Sequence, residues 1–317
     1  MRIFAICLVI VALGAASTPT AADGSAEGAA LCRSITKPPL IDGKLDDAAW
    51  QALPALSGFT VLRDGQPASP ATSFSICHDE DAIFVALRCA EPDMDAVECK
   101  LTEADADVFE EECVVVLFDV GHERRPSGFV ELAANCLGTK HDAFDDDHQW
   151  NGAWRAAAQR GPDGWTLEIA VPFGDLGRRP VSGDMWGLAV GRYRNVEGEQ
   201  VFTWSPVAGS FWDTETFGHV IFDSLERNLM RDIAAVEERL SSERQDVARL
   251  AKKFGADDAY VGVVVAAAPA VGELRRRVEG GVRDADEWRN IRDALARIED
   301  EYDDALWNLR LEELFAD

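Results

Sequence analysis

The chain has 317 residues, 47% of them hydrophobic, enough for about two units if domains run to roughly 100–200 residues each. Asp and Glu number 57 against 31 Lys and Arg, a net charge of −26 that repels phosphate backbones and anionic lipid heads. Nucleic acid and membrane surfaces are therefore excluded as natural partners, and the acidic surface reads first as a device for solubility.

The N-terminus reads as an export signal over residues 1–22: Met1-Arg2 gives a positive end, and the apolar stretch Ile3 to Ala16 is shorter than the roughly 20 residues of a membrane span. Cleavage after Ala16 or after Ala22 fits the small residues there, and the mature protein is expected to be secreted or periplasmic. Removal of Cys7 leaves Cys32, Cys77, Cys89, Cys99, Cys113 and Cys136, an even number that suits disulfides in an oxidising compartment. No pairing is selected by sequence, and the absence of close CxxC spacing argues against zinc. Residues 23–39 read as a linker.

From residue 40 to 223 short apolar runs broken by Gly, Pro and Asp predict a mostly β unit, an antiparallel β-sandwich of jelly-roll type. Ser73 to Cys77 and Ala82 to Cys89 flank the turn-rich His78-Asp79-Glu80-Asp81 as a hairpin. Cys113 to Phe118 is a continuous apolar run suited to burial on both faces. Phe129 to Ala134 follows, and Trp165 to Val171 alternates strictly until Pro172, which has no N–H for a ladder. Trp186 to Arg194, Val201 to Trp204 and Gly218 to Phe222 complete the unit.

Over residues 224–317 the period lengthens. Leu229, Ile233, Val236, Leu240, Val247, Leu250 and Phe254 form a narrow helical seam, with Glu243 at one seam position. Trp288, Ile291, Leu295, Ile298, Tyr302, Ala305 and Leu309 repeat it, behind the acidic start Asp284 and Asp286. Between them lies a shorter helix, interrupted by Pro269 and stopped at Gly280-Gly281. The simplest arrangement is a C-terminal α-helical hairpin or small bundle; the sharper one is a coiled coil that recruits a second copy or a protein partner.

Four phrases, taken together and in order, identify a family. Ile41-Asp42-Gly43-Lys44-Leu45-Asp46-Asp47-Ala48-Ala49-Trp50, Cys113 to Asp119 after an acidic triplet, Gly164 to Pro172 and Phe217-Gly218-His219-Val220 resemble a family 9 carbohydrate-binding module, within the DOMON-like sandwiches. The resemblance covers about residues 40–222 and leaves the helical tail unmatched. It implies a sandwich that grips sugar between aromatic rings, with polar side chains at the hydroxyls and structural calcium. Carried over residue by residue, it puts Phe109 where the characterised binders have a Trp and Val115 where they have an acid. Trp204 and Trp212 both qualify as the second platform; Trp154, Arg192 and Asn135 complete the candidate sugar contacts.

Trp50, Trp165 and Trp186 sit in framework phrases and read as core, whereas Trp150, Trp154 and Trp212 stand beside polar residues and read as partly exposed. Asp142, Asp145, Asp146 and Asp147 concentrate hard oxygen ligands of the kind calcium takes, without the EF-hand spacing. No nucleophile with its base, singled-out carboxylate pair, P-loop or GxGxxG is found, so the reading is non-catalytic. Two alternatives stand beside sugar binding: a haem-binding electron carrier using Met94, Met185 or the five His, and a ligand-free scaffold, which Val115 favours.

Overall fold

The computed structural model describes residues 28–315 except 63, 126, 146, 197 and 206–209, so the stretch read as an export signal, residues 1–22, lies outside the described residues. Twelve strands among them build the sandwich: β1 (Ala29–Ser34), β2 (Thr60–Val61), β3 (Thr72–His78), β4 (Ala82–Ala90), β5 (Cys113–Asp119), β6 (Phe129–Asn135), β7 (Lys140–Phe144), β8 (Arg155–Gly161), β9 (Gly164–Pro172), β10 (Met185–Arg194), β11 (Gln200–Thr203) and β12 (Gly218–Phe222). The first sheet runs β7-β6-β5-β10-β12-β1, with β11 paired to β10 and β2 to β11; the second runs β1-β3-β4-β9-β8. Strand β1 belongs to both, because Ala29 to Cys32 pair with β12 and Arg33 and Ser34 pair with β3.

This corrects the reading of residues 23–39 as a linker. Both pairings of β1 are parallel, so no hairpin turn announces it, and its small Ala30 and Cys32 face the core without β-branched neighbours. Strands β7 and β8 also lay hidden, one inside the acidic His141 to His148 stretch and the other in the alanine-rich edge Arg155–Gly161.

The period-two alternation divides β5 cleanly. Val114, Val116 and Phe118 enter the core between the sheets, while Cys113, Val115 and Leu117 enter a second apolar cluster on the outer face. The same alternation decides the cysteines. Cys99 and Cys136 form a disulfide. Cys32 and Cys89 point into the inner core, whereas Cys77 and Cys113 lie on outer faces, and all four are buried free thiols. Burial pushes the Cys77 and Cys89 thiols up to about 12.

Two of the sequence phrases are joined by one carboxylate. Glu168 on β9 accepts from the backbone N–H of Asp42 at 3.0 Å and Gly43 at 2.7 Å with one oxygen, and from Trp50 Nε1 at 2.7 Å with the other. Gly43 takes φ +86° and crosses the backbone of Ala158 so closely that a Cβ would stand 2.6 Å from it. Deeper in, Arg192 spans the sandwich: its Nε donates to Glu112 Oε1 at 2.7 Å, its Nη1 to Ala90 O at 2.9 Å, and its Nη2 lies 3.4 Å from Glu91. Arg194 donates to Glu91 from the same strand, and Trp165 Nε1 donates to Glu112 at 3.1 Å.

After the short α1 (Ala48–Gln51), three long helices follow the sandwich: α2 (Leu225–Phe254), α3 (Ala259–Glu279) and α4 (Ala285–Phe315). Ser224, Asp258 and Asp284 cap their first turns by accepting backbone N–H groups. The seams converge in one core, where Leu229, Ile233 and Leu250 meet Val264 and Val271 and Trp288, Ile291 and Leu309. Helix α3 runs unbroken through Pro269. That residue and Val265, whose carbonyl loses its partner, are both exposed, so water can satisfy the freed group. Glu243, the polar seam position, faces Arg310 at 3.8 Å.

The bundle docks on the outer face of the first sheet, where Ala29 and Ile221 belong to the helical core. Trp288 Nε1 donates to Asn228 Oδ1 at 2.8 Å, and Asn228 Nδ2 donates to Gly183 O at 3.1 Å. Arg292 Nη1 lies 2.7 Å from His219 Nε2, and His219 Nδ1 lies 2.7 Å from His122 Nε2. Because arginine only donates, His219 carries its proton on Nδ1 and His122 turns its own Nδ1 toward Asp119, 3.7 Å away.

Replacing Arg192 with Met leaves the interior Glu112 without a cation, while Glu91 keeps Arg194. Urea unfolding should show a loss of about 3–5 kcal/mol for this variant, and a loss under 1 kcal/mol would mean the cluster is not the interior tie described.

Candidate functional site

The outer face of the first sheet has two halves. The bundle covers β12 and β1. Over β5, β6 and β10 the cover comes from the sandwich's own loops, the turn Val108–Glu110 and the segment 211–217. Registration sets the floor: His141, Ala133, Val115 and Gly191 lie side by side on four neighbouring strands. Phe211 rests on this row, and a Cβ on Gly191 would stand 2.3 Å from its ring. Glycine at 191 therefore makes the space that Phe211 fills, and Val115 is buried beneath.

Toward β6 and β7 the cover thins and polar groups gather. Glu131 faces the same side as Val115, one strand over, and accepts a hydrogen bond from Trp212 Nε1. Burial pushes the Glu131 carboxyl above the ordinary carboxylate range; the Trp212 N–H and the neighbouring His141 and His148 oppose that only in part. The indole of Trp212 is 48% exposed, so its edge is fixed and its surface open. Phe109 presents its ring to Tyr193 at 5.3 Å and to His141 at 5.4 Å, and the His148 ring lies 5.6 Å from that of His141. Both ring nitrogens of His141 are buried without a hydrogen-bond partner among the described residues.

Of the residues singled out by sequence, Phe109 and Trp212 lie together on this face. Trp204 does not. Its backbone N–H reaches Val190 O at 2.9 Å, its ring meets Phe74 at 4.9 Å against the inner core, and it lines a cleft beside the bundle. Trp154 is core rather than surface, 1% exposed, with Lys140 Nζ over its ring at 4.7 Å. Arg192 is fully buried in the interior ion cluster, pointing away from the outer face because it alternates with Gly191 and Tyr193. Asn135 is on the right face but is spent on its own turn. Its Nδ2 donates to Leu101 O and Glu111 Oε2, and its Oδ1 accepts from the N–H groups of Leu137 and Thr139.

In the stretch offered to calcium, the described carboxylates are engaged with backbone N–H groups. Asp142 accepts from Gly152 N, Asp145 from Gly128 N and Phe129 N, and Asp147 from Gln149 N, so each carboxylate holds a separate turn; Asp146 lies outside the described residues. Among the described residues no three His, Cys, Asp or Glu side chains converge as a metal-ligand set. The methionines offered to haem part company, Met94 packing on the inner core and Met185 on the helical core.

Glu131 was missed by sequence reasoning, and His141 and His148 were offered only as metal ligands. A signal for Glu131 was present, since alternation in β6 puts Phe129, Glu131 and Ala133 on one buried face, and a carboxylate there demands a partner. His141, which lies in β7, was read within an acidic loop instead of a strand.

Solved structures resemble the sandwich at low identity. A family 9 carbohydrate-binding module from Caldicellulosiruptor kristjanssonii, in complex with cellotriose, is 16% identical, with 62% of this chain and 94% of that one covered and a TM-score of 0.49. The same description with glucose gives 16%, 61%, 95% and 0.47. A putative carbohydrate-binding protein from Bacteroides uniformis ATCC 8492 gives 14% identity, 62% and 100% coverage and a TM-score of 0.48. No curated protein matches the chain. Residues 41–225, more than half of the sequence and the whole span of the four phrases, match one family throughout, and the chain belongs to the carbohydrate family 9 binding domain-like family.

Proposed function

We propose that this is an exported, non-catalytic carbohydrate-binding protein that holds a saccharide at the β6–β7 rim of the outer face. The observation that carries the reading is Trp212, an exposed indole whose edge is held by the buried Glu131 carboxylate. An indole face suits the C–H face of a pyranose, Phe109 stands nearby as a second ring, and Glu131 and His141 offer hydroxyl partners. Glu131 restores, from β6, the acid that β5 lacks at Val115. Family membership and the described disulfide support the reading, as does the N-terminal stretch for export.

The scaffold reading has one observation of its own: Phe211 on Gly191 fills the centre of the face. A glycan array on the full chain separates the two, because a scaffold retains no glycan.

For a retained glycan, Trp212→Ala should weaken binding about ten- to a hundredfold, the scale of roughly 1.5–3 kcal/mol of lost aromatic burial, and calorimetry showing unchanged affinity would remove Trp212 from the site. Binding should also depend on pH through Glu131. A hydroxyl donates to the carboxylate form, so affinity is full above the raised pKa of Glu131 and falls as pH drops through it, earlier than an ordinary Glu would allow. In Glu131→Gln that step should vanish; a step that persists belongs to another group.

A further inference from the structure

Where the bundle meets the sandwich, a cleft of about 530 Å³ opens on the side of the molecule that carries Trp204. Its size is that of a small-molecule site, and neither unit makes it alone. The sandwich supplies Trp204, Ser57 and Arg33, and the start of α4 with the turn before it supplies Arg283, Asp286 and Arg289.

The aromatic wall is rigid. Trp204 is wedged so tightly that a Cβ on Gly28 or on Gly218 would each stand 2.8 Å from its ring, while Phe74 meets it edge-on at 83°. A half-buried indole fixed in this way is a prepared platform, which lowers the ordering cost of binding. The charged groups differ in their engagement. Arg283 donates to Glu287 at 2.8 Å, and Arg289 to Asp286 at 3.0 Å. Arg33 is exposed on β1 and makes no hydrogen bond to a carboxylate among the described residues. Glu226, the acid it influences through space, accepts instead from Val282 N and Ser224 Oγ. In a chain of net charge −26, a guanidinium left unspent beside an aromatic platform is a specific feature.

We infer that this junction cleft is a second binding site, for a carboxylate-bearing saccharide of one or two units, with the sugar ring on Trp204 and its carboxylate on Arg33. The site is independent of the outer-face reading, because it uses none of the same residues and needs the helical bundle to close it. The bundle is then a part of the binding surface as well as a cover for the sheet.

The test uses the full chain with digalacturonate as probe and neutral galactobiose as control, followed by calorimetry. Digalacturonate should bind, galactobiose should bind at least about tenfold more weakly, and Arg33→Glu should cost digalacturonate about tenfold or more, the scale of one charge-assisted hydrogen bond. Trp212→Ala, which empties the outer-face site, should leave digalacturonate binding unchanged. Arg33 is exposed, and an unchanged melting temperature of Arg33→Glu verifies that the variant is folded. Absence of digalacturonate binding, equal binding of the two disaccharides, or wild-type affinity in a folded Arg33→Glu variant would each overturn the assignment. Loss of digalacturonate binding in Trp212→Ala would move the ligand to the outer face instead.

Discussion

A sheet whose central strands are apolar on both faces cannot leave either face to water, and the first sheet is such a sheet: β5 reads Cys-Val-Val-Val-Leu-Phe-Asp and is buried throughout. Its inner face is met by the second sheet. Its outer face needs separate cover, and the chain provides two kinds. Phe211 and Phe217 cover the β5, β6 and β10 side, and α2 and α4 cover the β12 and β1 side, where Ile221 and Ala29 join the helical core. The bundle, the loop cover and the rim between cover and solvent all follow from that one requirement.

Most of the sandwich was legible because its strands announce themselves. Alternation in Trp165 to Val171, the turn before Ala82 and the apolar run at Cys113 are local signals, and each became a strand. What stayed hidden depended on distant partners. Strand β1 has no pattern of its own and is defined by β12 and β3, far along the chain. The candidate contacts suffered in the same way. Arg192 and Trp154 are ordinary surface candidates by composition, and only alternation across the whole of β10 and the packing under Lys140 turn them inward. Trp212 and Phe109 could be named from sequence, but their meeting with Glu131 and His141 required strand registration.

Val115 stands where the family resemblance implies an acid, and the buried carboxylate of this face lies on β6, at Glu131. Glycine at 191 and valine at 115 make the centre apolar and admit Phe211. The indole N–H of Trp212 offsets part of the burial cost at Glu131, so the indole and the acid hold each other in place.

The position of the bundle also fixes direction. Across the outer face the strand order β7-β6-β5-β10-β12-β1 runs from an open edge to one occupied by helices. At the proposed rim site a saccharide would have solvent past β7, and toward β12 it would meet first Phe211 and Phe217 and then the bundle. The outer face is thus open on one side and walled on the other.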